Sequence, residues 1–216
     1  MSKVTIIDYG CGNLFNLVNA LEEVGISSKI TDSPTEARKS DRLILPGVGA
    51  FGHGVQNLNQ RNLTESVLEV AKAGRPVMGI CLGMQLLATK SEELGTWDGL
   101  DLIPGEVRSL RDMGASDAKV PQIGWNYLQP SEAEVARGAS GWTGSILENL
   151  PTRSAFYFVH SYGVLTRDPR HTIALTEYGG CRFASVIQRE NVVGCQFHPE
   201  RSGELGLQLL RAFGKG

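Results

Sequence analysis

The chain has 216 residues, enough for one α/β domain with a substantial core, and its 41% hydrophobic and 20% charged residues exclude an intrinsically disordered protein. Lys and Arg number 21 against 23 Asp and Glu. This near-neutral charge argues against nucleic-acid or anionic-membrane binding, because both require a basic excess.

The first half of the chain alternates strand and helix signals. Short apolar runs predict buried strands over Val4–Asp8, Ser28–Thr31, Arg42–Pro46 and Pro76–Ile80. Helices are predicted from Leu14, Leu17, Val18 and Leu21 at helical spacing, from the capping box Ser33-Pro34-Thr35-Glu36, over Leu63–Ala73 and over Leu82–Lys90. Repeated β–α units of this length predict a doubly wound, mostly parallel sheet.

After about residue 100, strands follow one another with few helices between them. They are predicted over Gly105–Leu110, Tyr157–Val164, Thr172–Tyr178, Arg182–Arg189 and Val192–Phe197. A hairpin is predicted around Glu190-Asn191, and a final helix carries Leu205, Leu209 and Phe213 on one stripe. Residues 130–150 are predicted to form a surface excursion, in which Ser131 could cap a short helix. Because no linker separates the halves, we predict one α/β domain over residues 1–216 with an added antiparallel region.

The N-terminal apolar run is too short for a signal peptide, and no stretch approaches the roughly 20 apolar residues of a spanning helix. Four cysteines, Cys11, Cys81, Cys181 and Cys195, form no CxxC pair. We therefore expect reduced thiols and a cytoplasmic protein.

The segment Gly79-Ile80-Cys81-Leu82-Gly83 joins a predicted strand to a predicted helix. A cysteine between two glycines at such a sharp turn is typical of a nucleophile elbow. The helix N-terminus favours a thiolate, and the N–H of Leu82 points to where an oxyanion would form. A buried structural cysteine is the alternative, and the paired glycines make it the weaker interpretation.

A thiolate nucleophile needs a base, and His198 with Glu200 supplies one after the strand that ends near Phe197. In extended backbone, residues two apart face the same side, so Glu200 can reach a ring nitrogen of His198. Because both motifs end predicted strands, they can meet at the carboxyl edge of the sheet. A zinc site from Cys195 and His198 is disfavoured, because these residues alternate in direction and no further ligand cluster exists.

The glycine-rich segment Gly47-Val48-Gly49 follows the third predicted strand. No Lys-Ser/Thr pair follows, which excludes a phosphate loop. A contribution to an oxyanion hole for Cys81 fits better, although a plain turn at the sheet edge would have the same composition.

Two motifs resemble the signature motifs of the class I (triad) glutamine amidotransferase family. They are the elbow followed by Gln85 and the segment Gln196-Phe197-His198-Pro199-Glu200. The resemblance covers essentially the whole chain and implies a flavodoxin-like fold, no cofactor and no metal. It implies hydrolysis of glutamine through a glutamyl thioester, with Cys81 as nucleophile, His198 as acid and base and Glu200 orienting His198. The oxyanion hole would be the N–H groups of Leu82 and Val48, after the Gly47–Val48 peptide is reoriented by partner and ligand. Positions matching those that hold glutamine are Gly49, Gln85, Glu93, Ser161 and Tyr162.

Within that family, further segments are similar to the glutaminase subunits of imidazole glycerol phosphate synthases. They are Leu45–Phe51, Gly124-Trp125-Asn126, Tyr157–Tyr162 and His198–Gly203. This resemblance implies a heterodimer in which ammonia passes to a (β/α)₈ cyclase subunit, for imidazole glycerol phosphate and AICAR formation in histidine biosynthesis. Positions matching the interface and the ammonia entrance are Cys11, Gly12, Asn13, Trp125, Asn126, Tyr157 and Arg201.

Three alternatives remain open at this point. A glutamine-binding regulatory subunit would not need the intact set of Cys81, His198 and Glu200. A stand-alone thiol peptidase or γ-glutamyl hydrolase would share the elbow but act without a partner. A glutaminase that feeds another synthase would share the chemistry and differ only in its partner.

Overall fold

The computed structural model describes residues 3–136 and 142–215, which contain fourteen strands and seven helices. The strands are β1 (Lys3–Ile7), β2 (Ser27–Thr31), β3 (Arg42–Leu45), β4 (Val77–Ile80), β5 (Lys90–Ser91), β6 (Trp97–Asp98), β7 (Gly105–Ser109), β8 (Gln122–Tyr127), β9 (Gln129–Pro130), β10 (Ala155–His160), β11 (Tyr162–Thr166), β12 (Thr172–Tyr178), β13 (Cys181–Arg189) and β14 (Val192–Cys195). The helices are α1 (Leu14–Glu23), α2 (Pro34–Arg38), α3 (Phe51–Gln60), α4 (Thr64–Lys72), α5 (Leu82–Leu86), α6 (Glu132–Ala136) and α7 (Gly203–Lys215). Short 3₁₀ turns cover Pro169–His171 and Pro199–Arg201.

The centre of the fold is a parallel sheet with the strand order β2-β1-β3-β4-β14. Parallel neighbours require crossover connections, and helices α1 to α4 supply them within the first half of the chain. This order is that of a flavodoxin-like sheet, in which sites form beyond the carboxyl ends of the strands. The predicted doubly wound α/β architecture is confirmed.

Two apolar cores lie on opposite faces of this sheet. Along β3, Leu43 and Leu45 belong to one core, which includes residues of α3 and α4, and Ile44 belongs to the other, which includes residues of α1 and α7. This alternation is the period-2 pattern of a strand that is covered on both faces. None of the helices in the described ranges has the length and apolar content to cross a membrane.

The added antiparallel region is also confirmed. Strand β13 pairs with β14 on one side and with β11 on the other, and β11 pairs in turn with β7. Strand β13 also pairs with β12, which pairs with β9. Strands β8 and β10 form a separate two-stranded sheet. The last strand of the chain, β14, therefore lies between β4 of the parallel half and β13 of the antiparallel half.

The prediction of one strand over Tyr157–Val164 is wrong. The chain changes sheets at Ser161, because β10 pairs with β8 whereas β11 pairs with β7 and β13. Only Ser161 separates the two strands, so the sequence carries no sign of the change. Strand β8 had no counterpart in the prediction, and its large apolar residues Ile123, Trp125 and Tyr127 are exposed.

Two helices also differ from the prediction. The helix expected over Leu82–Lys90 ends at Leu86, because the carbonyls of Leu86 and Leu87 accept from the N–H groups of Leu100 and Leu102. Helix α3 was not predicted, since glycine disfavours helix interiors. Its Gly52 is nevertheless required, because an added Cβ would lie 2.3 Å from the ring of Trp97.

The prediction of a surface excursion over residues 130–150 is wrong for the part that the structure describes. Trp142, Leu147 and Leu150 are buried in the core that also contains residues of α7. Ser131 does cap α6, since its Oγ accepts from the N–H of Glu134 at 3.2 Å. Residues 137–141 of this stretch lie outside the described residues.

Candidate active site

Cys81 lies in the turn between β4 and α5, with a φ of 54° that few non-glycine residues adopt. The two flanking glycines are required by close packing. An added Cβ on Gly83 would lie 1.7 Å from the carbonyl oxygen of Leu45, and one on Gly79 would lie 2.6 Å from the backbone of Gly83. The turn therefore has the geometry of a nucleophile elbow, as the sequence predicts.

His198 lies three residues beyond the end of β14, and β14 is the parallel neighbour of β4. The N–H of Cys81 donates to the carbonyl of Cys195 at 2.8 Å, which ties the elbow to the end of β14. Strand order thus brings Cys81 and His198 to one edge of the sheet, although they are far apart in sequence. His198 Nδ1 contacts Glu200 Oε1 at 2.7 Å, and both side chains are largely buried.

The contact between Glu200 and His198 arises from a backbone different from the one predicted. Residues 199–201 form a 3₁₀ turn and not extended chain, with Pro199 at its first position. The turn folds Glu200 back toward the ring. The predicted pairing is present, but a tight turn produces it.

The electrostatics of His198 favour its protonated form. Burial acts to lower the pKa of His198, but the neighbouring Cys81 and Glu200 outweigh it and raise the pKa to about 10. His198 Nε2 makes no hydrogen bond of ordinary geometry within the described residues. An imidazolium held next to the sulfur is the arrangement that stabilises a thiolate.

We expect Glu200→Gln to lower the pKa of His198 by roughly one unit or more, because the variant loses the opposite charge. A raised pKa in the folded state adds stability that is complete below about pH 6.5. In the wild type this contribution is lost as the pH rises through about 10. The free energy of unfolding should therefore fall less between pH 7 and pH 10 in the variant. Proton NMR titration of the imidazole and urea unfolding at several pH values measure both effects.

Glu204→Gln is the matched control, because Glu204 is an exposed residue in the first turn of α7. This control should leave the titration of His198 unchanged. An unchanged pKa of His198 in Glu200→Gln would contradict the assigned electrostatic role.

The predicted oxyanion pair is not assembled in this conformation. The N–H of Leu82 donates to the carbonyl of Gly47 at 3.2 Å, so the Gly47–Val48 peptide presents its carbonyl to this donor. An oxyanion at Cys81 could use the Leu82 N–H only after that carbonyl has moved away. Val48 is 46% exposed, which places this peptide at the surface of the site.

A cavity of about 320 Å³ opens beside Cys81. All five residues predicted to bind substrate line it, together with Cys81, Leu82 and Val48; the five are Gly49, Gln85, Glu93, Ser161 and Tyr162. Glu93 Oε2 accepts from the N–H of Phe51 at 2.7 Å, and burial raises the pKa of Glu93 despite this bond. Burial also raises the pKa of Tyr162, with a further contribution from the charge of Glu93.

Sequence reasoning assigned no role to two polar residues of the site. His160 lines the cavity, and its pKa falls to about 4, mainly because the ring is buried and also because His198 lies nearby. Gln196 is fully buried between Gln85 and Cys81, and it accepts from Gln85 Nε2 at 3.0 Å. The available signal was a glutamine directly after a wholly apolar strand, where a buried polar group needs partners.

The residues predicted at a partner interface divide into two groups. Trp125, Tyr157 and Arg201 form one surface cluster, with the rings of Trp125 and Tyr157 edge to face at 6.3 Å. The guanidinium of Arg201 lies 4.2 Å from the centre of the Tyr157 ring. Next to this cluster, Gly12, Asn13 and Arg201 line a cavity of about 100 Å³ with His198 and Glu200.

Cys11 and Asn126 do not join this surface. Cys11 is buried, and its sulfur accepts from Asn57 Nδ2 at 3.3 Å. Asn126 Nδ2 donates to the carbonyl of Glu177 at 2.9 Å, which directs this side chain toward β12. The alternation of side chains along β8 explains why Asn126 and its neighbour Trp125 point in opposite directions.

All four cysteines are free thiols, as predicted. Within residues 3–136 and 142–215, no three His, Cys, Asp or Glu side chains are grouped so that they could hold a metal ion.

The sequence profile of the "Glutamine amidotransferase class-I" family matches residues 5–215. Among curated proteins, the chain is 44% identical to "Imidazole glycerol phosphate synthase subunit HisH 1" of Legionella pneumophila (strain Paris), over 99% of each protein. It is 43% identical to "Imidazole glycerol phosphate synthase subunit HisH" of Symbiobacterium thermophilum, over 100% of this chain and 94% of that protein.

Solved structures share the fold at much lower sequence identity. "Structure of PurLQS from Thermotoga maritima" aligns with a TM-score of 0.70 at 17% identity, over 99% of this chain and 98% of that one. The glutaminase domain of Trypanosoma brucei CTPS, solved with bound acivicin, aligns with a TM-score of 0.62 at 15% identity, over 100% of this chain and 94% of that one. At these identities the likeness establishes the fold.

Proposed function

This chain belongs to the class-I glutamine amidotransferase family, and from that premise we propose that it is the glutaminase subunit of an imidazole glycerol phosphate synthase. The proposed chemistry rests on one observation: Cys81, at a nucleophile elbow, lies at the same sheet edge as the buried His198–Glu200 pair. The assignment to this subunit rests on relatives that are more than 40% identical to this chain over nearly its whole length.

In the proposed reaction, the thiolate of Cys81 attacks the side-chain amide carbon of glutamine and forms a tetrahedral intermediate. His198 gives a proton to the nitrogen, the carbon–nitrogen bond breaks, and ammonia leaves a glutamyl thioester on Cys81. His198 then takes a proton from water, which attacks the thioester and releases glutamate. Glu200 holds the ring orientation throughout and stabilises its charged form.

Substrate binding in the cavity follows from the types of residue that line it. The carboxylate of Glu93 suits the α-ammonium group of glutamine, and Gln85, Ser161 and Tyr162 suit its polar groups. The N–H groups of Leu82 and Val48 would stabilise the tetrahedral oxyanion after the Gly47–Val48 peptide has turned. Binding of a partner near Val48 would favour that turn, which makes the partner an allosteric activator.

The surface of Trp125, Tyr157 and Arg201 is the proposed contact with a (β/α)₈ cyclase in a heterodimer. Aromatic residues and Arg are the usual anchors of protein interfaces. Arg201 of this cluster also lines the small cavity beside His198, and on this basis we propose that ammonia leaves the site on this side toward the partner. We further propose that residues 1–216 act as one domain and that the complex is cytoplasmic.

Release of glutamate from glutamine by the purified chain, with and without a histidine-pathway cyclase, tests the function. With the cyclase and its phosphoribulosyl ligand present, we expect stimulation of about tenfold or more, because binding of the partner is coupled to the active site. An unrelated (β/α)₈ protein is the control and should not stimulate. Equal activity in all mixtures would indicate a stand-alone hydrolase. Stimulation by the cyclase of another pathway alone would indicate a different synthase.

A further inference from the structure

Gln196 connects the nucleophile to a residue that lines the substrate cavity. Its Oε1 accepts from Gln85 Nε2 at 3.0 Å, and its Nε2 donates to Cys81 Sγ at 3.8 Å. Gln196 is fully buried, so its amide has no contact with bulk water. The two glutamines therefore form a continuous row of hydrogen bonds from the cavity lining to the sulfur.

The direction of this row is set by a backbone carbonyl. The carbonyl of Tyr162 can only accept, and it lies 3.0 Å from Gln85 Nε2. Gln85 must therefore present its NH₂ group on this side, and its two hydrogens serve Tyr162 and Gln196. Gln196 must then present its oxygen to Gln85, which leaves its own NH₂ group for Cys81. Neither amide can be reversed without placing two acceptors in contact.

We propose that Gln196 is a positioning residue that stabilises the thiolate of Cys81 and fixes the side-chain orientation of Gln85. In this arrangement the oxygen of Gln85, a residue that lines the cavity, is used by neither Tyr162 nor Gln196, and we expect it to accept from an N–H donor of the substrate. The proposal deepens the glutaminase function above and rests on it, since it assigns the row to glutamine hydrolysis.

The surroundings of the sulfur explain why such a donor matters. The thiol of Cys81 has an acceptor in the carbonyl of Val159 at 3.9 Å, and that contact serves only the protonated form. A thiolate has no proton to give and needs donors in a buried site. His198 lies near the sulfur as a charged group, and Gln196 adds a neutral donor that stays at any working pH.

The pH dependence of Cys81 alkylation by iodoacetamide, followed by mass spectrometry of the Cys81 peptide, tests the proposal in Gln196→Met. Methionine has similar length and no donor or acceptor of comparable strength. We expect the midpoint of alkylation to rise by about one pH unit, because loss of one donor to a charged group is of that order. We also expect kcat/KM for glutamine to fall by about tenfold.

Gln188→Met is the matched control. Gln188 lies on β13, and its Oε1 accepts from the backbone N–H of Ile146 at 3.0 Å, in contact with a different part of the fold. Both variants lose one buried or half-buried amide, and only Gln196→Met should move the alkylation midpoint. Equal midpoints in Gln196→Met and wild type would overturn the proposal, since a purely structural role predicts lower stability alone.

A measurement on the wild type decides the question if Gln196→Met does not fold. The side-chain ¹H–¹⁵N resonances of Gln196 should shift with pH at the same midpoint as Cys81 alkylation, and this shift should be absent in Cys81→Ala. Resonances that do not follow the ionisation of Cys81 would overturn the proposal. Neither the alkylation midpoint nor the Gln196 resonances require glutamine. A protein without glutaminase activity would therefore contradict the proposed function and leave the test of Gln196 unaffected.

Discussion

Cys81→Ala is expected to abolish glutamine hydrolysis while the protein stays folded. The variant has no atom that can form the thioester, and loss of a nucleophile of this kind lowers kcat by on the order of 10⁴-fold or more. Alanine retains the Cβ of cysteine, so the turn at φ 54° gains no new clash. Glutamate release in the presence of the cyclase and its ligand measures the activity, and circular dichroism with thermal unfolding measures the fold.

Cys195→Ala is the control for Cys81→Ala. Cys195 is buried at the end of β14, and burial raises the pKa of its thiol well above the usual range. It therefore stays protonated and is no nucleophile, so this variant should lose some stability and keep most of its activity. If Cys81→Ala retained activity within tenfold of the wild type, a non-catalytic role for Cys81 would follow.

Gly83→Ala is expected to produce the largest loss of stability. Its added Cβ would lie 1.7 Å from the carbonyl oxygen of Leu45. The position of a Cβ is fixed by its own backbone and the oxygen is a backbone atom, so no side-chain rotation can relieve the clash. Relief of the clash must separate the elbow from the end of β3, at a cost of at least about 3 kcal/mol, the upper range of overpacking. Urea unfolding of the purified protein, or the soluble yield where the variant does not fold, measures this effect.

Gly54→Ala provides the matched glycine substitution. An added Cβ on Gly54 would lie 3.2 Å from Leu82 Cδ2 and 3.3 Å from Leu86 Cδ1, which are ends of side chains that can move. In helix α3, alanine also gains about 1 kcal/mol of helix propensity over glycine. We therefore expect little change in stability. A Gly83→Ala protein as stable as Gly54→Ala would show that the elbow does not need the close approach.

The elbow and the His198–Glu200 pair could be predicted because their signals are local. Glycines two residues from Cys81 on each side mark a strand-to-helix turn, and Glu200 lies two residues from His198. The repeated β–α units predicted a parallel sheet with both motifs at its carboxyl edge. The order that places β14 beside β4 was not predicted.

Features that depend on distant contacts could not be predicted in this way. The need for glycine at position 52 arises from Trp97, which lies on β6. The change of sheets at Ser161 depends on the pairing of β10 with β8, which is distant from β10 in sequence. The orientation of Gln196 follows from the carbonyl of Tyr162 through Gln85, so only the folded structure reveals it.

The position of β14 determines when the site is completed during synthesis. Strand β4 ends at Ile80, and the strand that covers its open edge ends at Cys195. A growing chain therefore exposes the edge of β4 opposite β3 until residues 192–195 have left the ribosome, a state that is prone to aggregation. Over the same interval Cys81 lacks both the proposed base, His198, and the proposed donor, Gln196. Chains released before residue 200 would carry the thiol of Cys81 without the proposed His198–Glu200 pair, so they could not carry out the proposed hydrolysis of glutamine.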